Sequence, residues 1–245
     1  MPKLKVDLHT HTREDPKDIV HYDACTLIRK AARLGFDAIA ITNHDTVTEN
    51  TEVLGCAREH GVLLIPGMEA TLSRRHVVIL NPALPTNRPE RRLEDIADLV
   101  TAQSLVMAPH PFFPQTKSLK NRLSDNIDLF DAIEFSHFYT VRLNFNKRAV
   151  ETARTHGLPL VGTSDCHTLW EFGTTYSYVE ADRSADSIIE AVKQGKVEVV
   201  TSPLKPWQMA YILTKLLEVK LFHFLAGLKP RIPRARASGN GSPHK

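Results

Sequence analysis

Along the chain, short apolar runs alternate with longer stretches in which apolar residues recur at helical spacing. The runs are Leu4–Leu8, Ala38–Thr42, Val62–Pro66, His76–Leu80, Leu105–Ala108, Ala132–Phe135, Leu158–Gly162 and Tyr176–Val179. They are aliphatic or β-branched and bounded by Gly, Pro, Asn or Asp, which predicts buried strands. Between them, Ala24–Leu34, Thr48–His60, Pro89–Gln103, Val141–His156 and Ala185–Gln194 predict amphipathic helices, the last capped by Ser184 or Asp186. Strand–helix units of this length build parallel sheets. Seven or eight of them in 245 residues predict an α/β fold closed into one barrel rather than two domains.

Polar side chains gather at one end of this pattern. The apolar runs lead into VDLHTH, ITNHD, IPGMEA, MAPHPF, IEFSHF and VGTSDCH. The C-terminal ends of parallel strands share one rim of a barrel, and active sites sit on that rim. Six clusters distant in sequence are therefore expected to meet in space.

Their residue types point to metal binding. His9 and His11 are two apart on a strand, so both side chains point to one face and can grip one ion. Asp165 and His167 repeat that spacing, and Asp7 shares the phase of His9, a position from which to orient a ligand. His44 follows the second run, Glu69 the third and His137 the sixth, while His110 precedes Pro111. Eight nitrogen and oxygen ligands exceed what one tetrahedral ion takes. Two or three divalent ions are implied, with Glu69 as the bridging carboxylate. No thiolate is among the ligands, so Zn²⁺, Mn²⁺ and Fe²⁺ all suit the set. His60 and His156 precede Gly61 and Gly157 at helix ends and are read as structural. Cys166 should face away from its two neighbours as a small buried hydrophobe.

Composition narrows the classes. At 42% hydrophobic residues the chain can build a core and is not disordered. Three cysteines without a CxxC pair exclude a disulfide scaffold and suggest a reducing compartment. MPKLKVDLHTHTRED has no apolar leader core, which predicts a cytoplasmic protein. The net charge of +3 hides an asymmetry, because no acidic residue follows Glu218. The last segment, KPRIPRARASGNGSPHK, reads as a disordered basic tail, either solvated or in contact with anionic lipid or nucleic acid.

DLHTHT, TNHDT, PGMEAT, APHP and TSDCH, in this order between about Lys5 and Val200, resemble the motifs of the PHP family, named for polymerase and histidinol phosphatase. The resemblance implies a distorted (β/α)7 barrel with a trinuclear metal site and phosphoesterase activity. It implies His9, His11, Glu69 and Asp165 on a first ion, and Glu69, His110 and His137 on a second. His44 and His167 would hold a third with one residue from the loop after His11. There Asp15, Asp18 and His21 compete, and Asp15 is favoured by proximity. Asn43 stands where the family often has Asp or His, so a weak third site would leave the enzyme on two ions. His76 resembles a histidine near the family's site and is read equally as a phosphate or ligand contact or as structural.

The expected domains are 1–203 for the PHP barrel, 204–228 for an amphipathic helix and 229–245 for the basic tail. With no GxSxG, P-loop or GxGxxG, the expected nucleophile is a metal-bridging hydroxide attacking phosphorus, its proton taken or oriented by Asp165. Arg13, Arg142 and Arg148 are candidate phosphate binders, the last two equally helix-surface residues. Loops are short apart from Pro82–Pro89 and Phe112–Asn126, which favours a stand-alone phosphatase on a small phosphorylated metabolite or nucleotide. The alternatives are a nuclease on short nucleic acid and a catalytically silent, metal-stabilised regulatory or membrane-associated protein. Trp207–Leu228 has the length of a membrane span, but Lys215, Glu218 and Lys220 lie in its middle. It is expected to dock on the barrel or a partner, with a peripheral membrane contact as the other outcome.

Overall fold

The computed structural model describes residues 1–83, 92–214 and 217. Among these, nine strands form one sheet: β1 (Lys3–Thr10), β2 (Ala38–Ile41), β3 (Leu63–Leu72), β4 (Arg75–Leu80), β5 (Leu105–Ala108), β6 (Ala132–Ser136), β7 (Leu160–Thr163), β8 (Thr175–Glu180) and β9 (Val197–Thr201). Their order is β7-β6-β5-β4-β3-β2-β1-β8-β9. The helices are α1 (Ala24–Arg33), α2 (Thr51–Glu59), α3 (Asn121–Asp125), α4 (Asn146–His156) and α5 (Ala185–Lys193). The chain is a mixed α/β barrel of the expected kind. Ser184 caps α5 by accepting from the Ser187 amide, and Gly157 ends α4 in the left-handed conformation.

The sheet is not purely parallel, which corrects the simplest reading of the strand–helix alternation. β4 runs antiparallel to β3 and β5, and β8 runs antiparallel to β1 and β9. β3 and β4 leave no room for a helix. They are joined at Ser73 and Arg74, both at positive φ (46° and 64°), the backbone that a tight hairpin turn requires. β9 was not expected, because Glu198 interrupts a short and half-buried run. The expected helix over Pro89–Gln103 is a 3₁₀ segment, Leu93–Leu99, in its described part; residues 84–91 lie outside the described residues.

Leu4, Val6, Leu8, Ala38, Ala40, Ile65, Val78, Leu80, Leu105, Met107, Ala132 and Val161 form one buried cluster with α5. Alternate residues of seven neighbouring strands thus share one face, the interior of the barrel. α1 and α2 cover the outside of β2, and α4 covers β5 and β6, in two further clusters. The barrel closes past β7 without a regular ladder. The Ser177 hydroxyl of β8 accepts from the Gly162 amide (2.8 Å) and donates to its carbonyl (3.1 Å). Beyond β7, the Asp165 amide donates to the His9 carbonyl (2.9 Å) and the His11 amide to the Cys166 carbonyl (3.3 Å).

Gly162 is required at this seam. A Cβ there would lie 2.7 Å from the Tyr176 carbonyl oxygen and 2.8 Å from Val199 Cγ1. Backbone cannot yield as a side chain can, so Gly162→Ala should destabilise the fold by about 1–3 kcal/mol, the usual range for overpacking. Urea unfolding of the two proteins checks this. An unchanged midpoint would mean that the seam is looser than the geometry shows.

The chain divides into two compact units, Met1–Met209 and Ala210–Lys245. Of the second, the described residues 210–214 and 217 are helical. The rest of the segment expected to form an amphipathic helix, and the basic tail, lie outside the described residues. No helix among the described residues is long and apolar enough to cross a membrane.

Candidate metal centre

Strict alternation along β1 would send His9 and His11 away from the barrel, since Leu4, Val6 and Leu8 point in. The register of β1 on β2 shifts between Asp7 and Thr10, and this irregularity re-aims the strand end. Glu69 is in the inward phase of β3 with Ile65. His76, at the start of β4, is in phase with Val78 and Leu80. Because β4 runs opposite to its neighbours, its start comes to the same rim as their ends. His110 and Asp165 follow β5 and β7 and have positive φ (29° and 43°), backbone uncommon outside glycine and concentrated at functional sites.

At the rim, five imidazoles surround one carboxylate. Glu69 oxygens lie 2.9 Å from His76 Nδ1, 3.0 Å from His44 Nε2, 3.2 Å from His110 Nε2, 3.4 Å from His11 Nε2 and 3.7 Å from His9 Nε2. Asp165 Oδ1 adds a second carboxylate, 3.3 Å from His11 Nε2 and 3.4 Å from His9 Nε2. Burial alone would raise the Glu69 carboxyl, but His76, His44, His9 and His11 override it and hold it well below the usual range. Burial disfavours the imidazolium of His9 and His11, yet the carboxylates around them carry both well above an ordinary histidine. The same balance pushes His44 up to about 9. For His76 burial wins and its pKa is lowered.

The outward nitrogens are held by carboxylates. Glu134, a fully buried residue of β6, takes His9 Nδ1 (2.9 Å), the His110 amide and the Thr163 hydroxyl. Asp15 Oδ2 takes His11 Nδ1 (2.9 Å), His44 Nδ1 (2.8 Å) and the His44 amide (2.9 Å). With Nδ1 engaged, each of these rings turns Nε2 toward Glu69. Of the three candidates in the loop after His11, Asp15 joins His11 and His44, Asp18 reaches His167 Nε2 (2.9 Å), and His21 is exposed. His11 and His167 stack at 4.5 Å. Asn43 bonds Thr12 and Thr48 and so holds the loops rather than facing the centre.

Other expected residues lie elsewhere. Asp7 is buried but accepts from the His9 and Ser164 amides, not from an imidazole; burial pushes its carboxyl up to about 7 despite those bonds. His137 is fully buried beside Phe138, with Nε2 4.0 Å from Glu171, and among the described residues it joins no group of three mutually close ligands. Arg13 does not reach the cluster: the turn that brings Asp15 inward leaves Arg13 outside, paired with Asp23 at 3.2 Å. Arg142 is exposed, and Arg148 on α4 packs over Phe112 and donates to Asn121. The nearer cations are lysines. Lys17 pairs with Asp45, and half-buried Lys117, its pKa lowered by burial and by Lys17, lies within electrostatic reach of Glu69. Cys166 faces away, buried under Tyr22.

These residues suit divalent metal ions on their own chemistry. His9 Nε2 and His11 Nε2 face each other at 3.2 Å, so protons on both repel each other and a bound cation would relieve the contact. Both ring nitrogens of buried His137 and Oδ1 of Asp165 have no hydrogen-bond partner, and orphaned buried polar atoms call for a ligand. Among the described residues, four groups of three have ligand atoms within 4.8 Å of one another: His9–His11–Glu69, His11–Asp165–His167, His11–Asp15–His44 and His44–Glu69–His76. Glu134 was missed in the sequence, since EFSH carries no spacing that marks the glutamate. Glu134→Gln should lower metal affinity by about 10–100-fold, as for other carboxylates that orient a ligating histidine. Metal titration by calorimetry checks this; an unchanged affinity would show that His9 needs no orienting partner.

A family model described as PHP-associated matches residues 144–197. An uncharacterized protein of Methanocaldococcus jannaschii is 28% identical over 155 residues, covering 56% of this chain and 83% of that protein. A PolC-type DNA polymerase III of Caldanaerobacter subterraneus is 42% identical over 65 residues, 26% of this chain but 5% of the polymerase. The crystal structure of a lesion-specific endonuclease from Pyrococcus furiosus superimposes with a TM-score of 0.60 at 19% identity, over 84% of this chain and 60% of that one. At that identity the likeness concerns the fold.

Proposed function

This chain belongs to the PHP family of metal-dependent hydrolases, and we propose that its reaction is hydrolysis of a phosphate ester. The observation that carries this reading is the convergence of five imidazoles on the carboxylate of Glu69, with Asp165 against two of the same rings, His9 and His11. His9, His11, Glu69 and Asp165 would hold one ion, and Glu69, His76 and His110 a second, with His137, its ring nitrogens without hydrogen-bond partners, a further candidate ligand. His44, His167, Asp15 and Asp18 would hold a third. Divalent ions at such a centre lower the pKa of water and clamp the oxygens of a displacement at phosphorus.

The chain's own residues do the rest. Glu134 and Asp15 hold the Nδ1 sides of His9, His11 and His44 and so fix the rings before substrate arrives. Asp165 Oδ1, buried beside His9 and His11 with no hydrogen bond made, is placed to accept one from an attacking water. Burial would raise its carboxyl, but His9, His11 and His167 hold it far below the ordinary range, so it orients that water rather than storing its proton. Lys17 and Lys117 meet the phosphate charge at the rim in place of Arg13.

The substrate proposed from short loops is a small phosphorylated metabolite or nucleotide. The test is phosphate release from nucleoside mono- and bisphosphates, histidinol phosphate and p-nitrophenyl phosphate. Protein stripped with chelator would be reloaded with Mn²⁺, Zn²⁺ or Fe²⁺. Activity restored by a divalent ion is expected. Full metal loading with no turnover of any of these esters or of bis-p-nitrophenyl phosphate, a diester added to the panel, would end the reading and favour the silent alternative.

A further inference from the structure

Beside the centre, Arg75, Lys120, Arg122, Lys147 and Arg148 line an open groove of about 590 Å³, with Asp125 the one acidic residue among the described residues of its lining. Among the described residues none of the five takes part in an ion pair. Two of them are held in place by neutral groups. Arg75 donates to the carbonyls of Thr116 and Ser118, and Arg148 donates to Asn121 (2.9 Å) with its guanidinium 4.4 Å over the Phe112 ring. Such partners order the side chain and leave its charge uncompensated. Arg75 Nε is in addition a buried donor without a partner.

The groove adjoins the centre along the chain. Arg75 precedes His76, and Phe112 follows His110 by two residues. The loop between them is anchored at His110, whose Nδ1 meets Gln115 Nε2 at 3.1 Å and whose carbonyl accepts from the Ser118 hydroxyl. Five cations exceed the needs of one terminal phosphate, and the groove also presents the aromatic rings of Phe112 and Phe145. A volume in the ~300–1,000 Å³ range takes a ligand of one or two nucleotides and no duplex. Basic side chains that follow a phosphate backbone beside aromatic rings are how single strands are bound without sequence preference.

We propose that this groove binds the nucleotides flanking the scissile phosphate of a single-stranded nucleic acid. The inference rests on the phosphoesterase reading and replaces its small substrate with a nucleotide chain. Phe112–Asn126, one of the chain's two long loops, builds one wall of the groove.

The test uses the full chain and a variant combining Lys120→Ala, Arg122→Ala and Lys147→Ala, three exposed positions outside the centre. Fluorescence anisotropy in chelator measures binding of labelled oligothymidylate and oligouridylate on the order of 10 nucleotides long. The variant should bind on the order of 30-fold more weakly at low salt, and its log Kd–log salt slope should fall by about 2. Its metal-loaded turnover of p-nitrophenyl phosphate should match that of the unaltered chain. The basic tail is common to both proteins, so its contribution cancels. Unchanged affinity and slope in the variant, no binding by the unaltered chain, or an equal loss on the nitrophenyl ester would each overturn the groove. If both proteins lack esterase activity but differ in binding as expected, the groove stands and the phosphoesterase reading fails.

Discussion

Glu69→Gln is expected to reduce kcat on any substrate of the centre by at least about a thousandfold, the equivalent of the several kcal/mol that metal clamping supplies. Glutamine keeps the volume and removes the charge. Five imidazoles then face a neutral amide, and its nitrogen side can donate but not ligate. Bound metal, measured by elemental analysis after gel filtration, should fall with turnover. Glu69→Asp keeps the charge but withdraws it by one methylene, so it should retain part of the metal and part of the rate. Full metal content and full activity in Glu69→Gln would remove Glu69 from the centre of the reading.

The second large effect is on stability, through pH and metal together. In the chain without metal, His44 is pushed up to about 9, and His9, His11 and His110 are raised as well. A histidine raised in the folded state contributes stability that is complete below the unfolded value near 6.5 and is lost as pH climbs through the folded value. Asp7, raised to about 7, acts in the same direction: its contribution is complete below about 4 and gone above 7. Glu69, Asp15 and Asp165 are depressed, so theirs is present above about 4 and lost in acid. The metal-free chain should therefore be most stable near pH 5–6 and lose stability toward pH 9. His44 alone contributes on the order of 3 kcal/mol, or about 6–12 °C in Tm at this size. Metal should reverse the trend, because ligands must be deprotonated to bind. The gain in Tm from Mn²⁺ or Zn²⁺ should be larger at pH 9 than at pH 6. Thermal scans with and without chelator at the two pH values check both signs, and a flat metal-free profile between 6.5 and 9 would contradict them.

All eight apolar runs proposed from hydrophobic pattern are strands, because burial in a sheet demands such runs wherever they pair. The pattern was silent on pairing direction. β4 is antiparallel because Ser73 and Arg74 adopt a tight turn, and only that reversal carries His76 to the rim. β9 was hidden by its half-exposed character. Seam closure at Gly162 depends on a neighbour 15 residues away, Ser177, which no local signal marks.

The ligand types were legible because metal chemistry draws on few side chains. His9 and His11 share a face through the two-residue period of a strand, whatever the fold. Which face they share was decided by the register shift in β1, a property of its pairing with β2. Between Asp15 and Asp18, proximity in sequence could not decide, since both reach histidines. The orientation of each ring lay further out of reach. His9 turns its Nε2 to Glu69 because Glu134, 125 residues later, holds Nδ1. Residue identity and local periodicity thus determined which groups could bind metal and that they would lie at strand ends. Only the tertiary structure decided which nitrogens face one another, because that depends on hydrogen bonds between segments that meet only when the barrel closes.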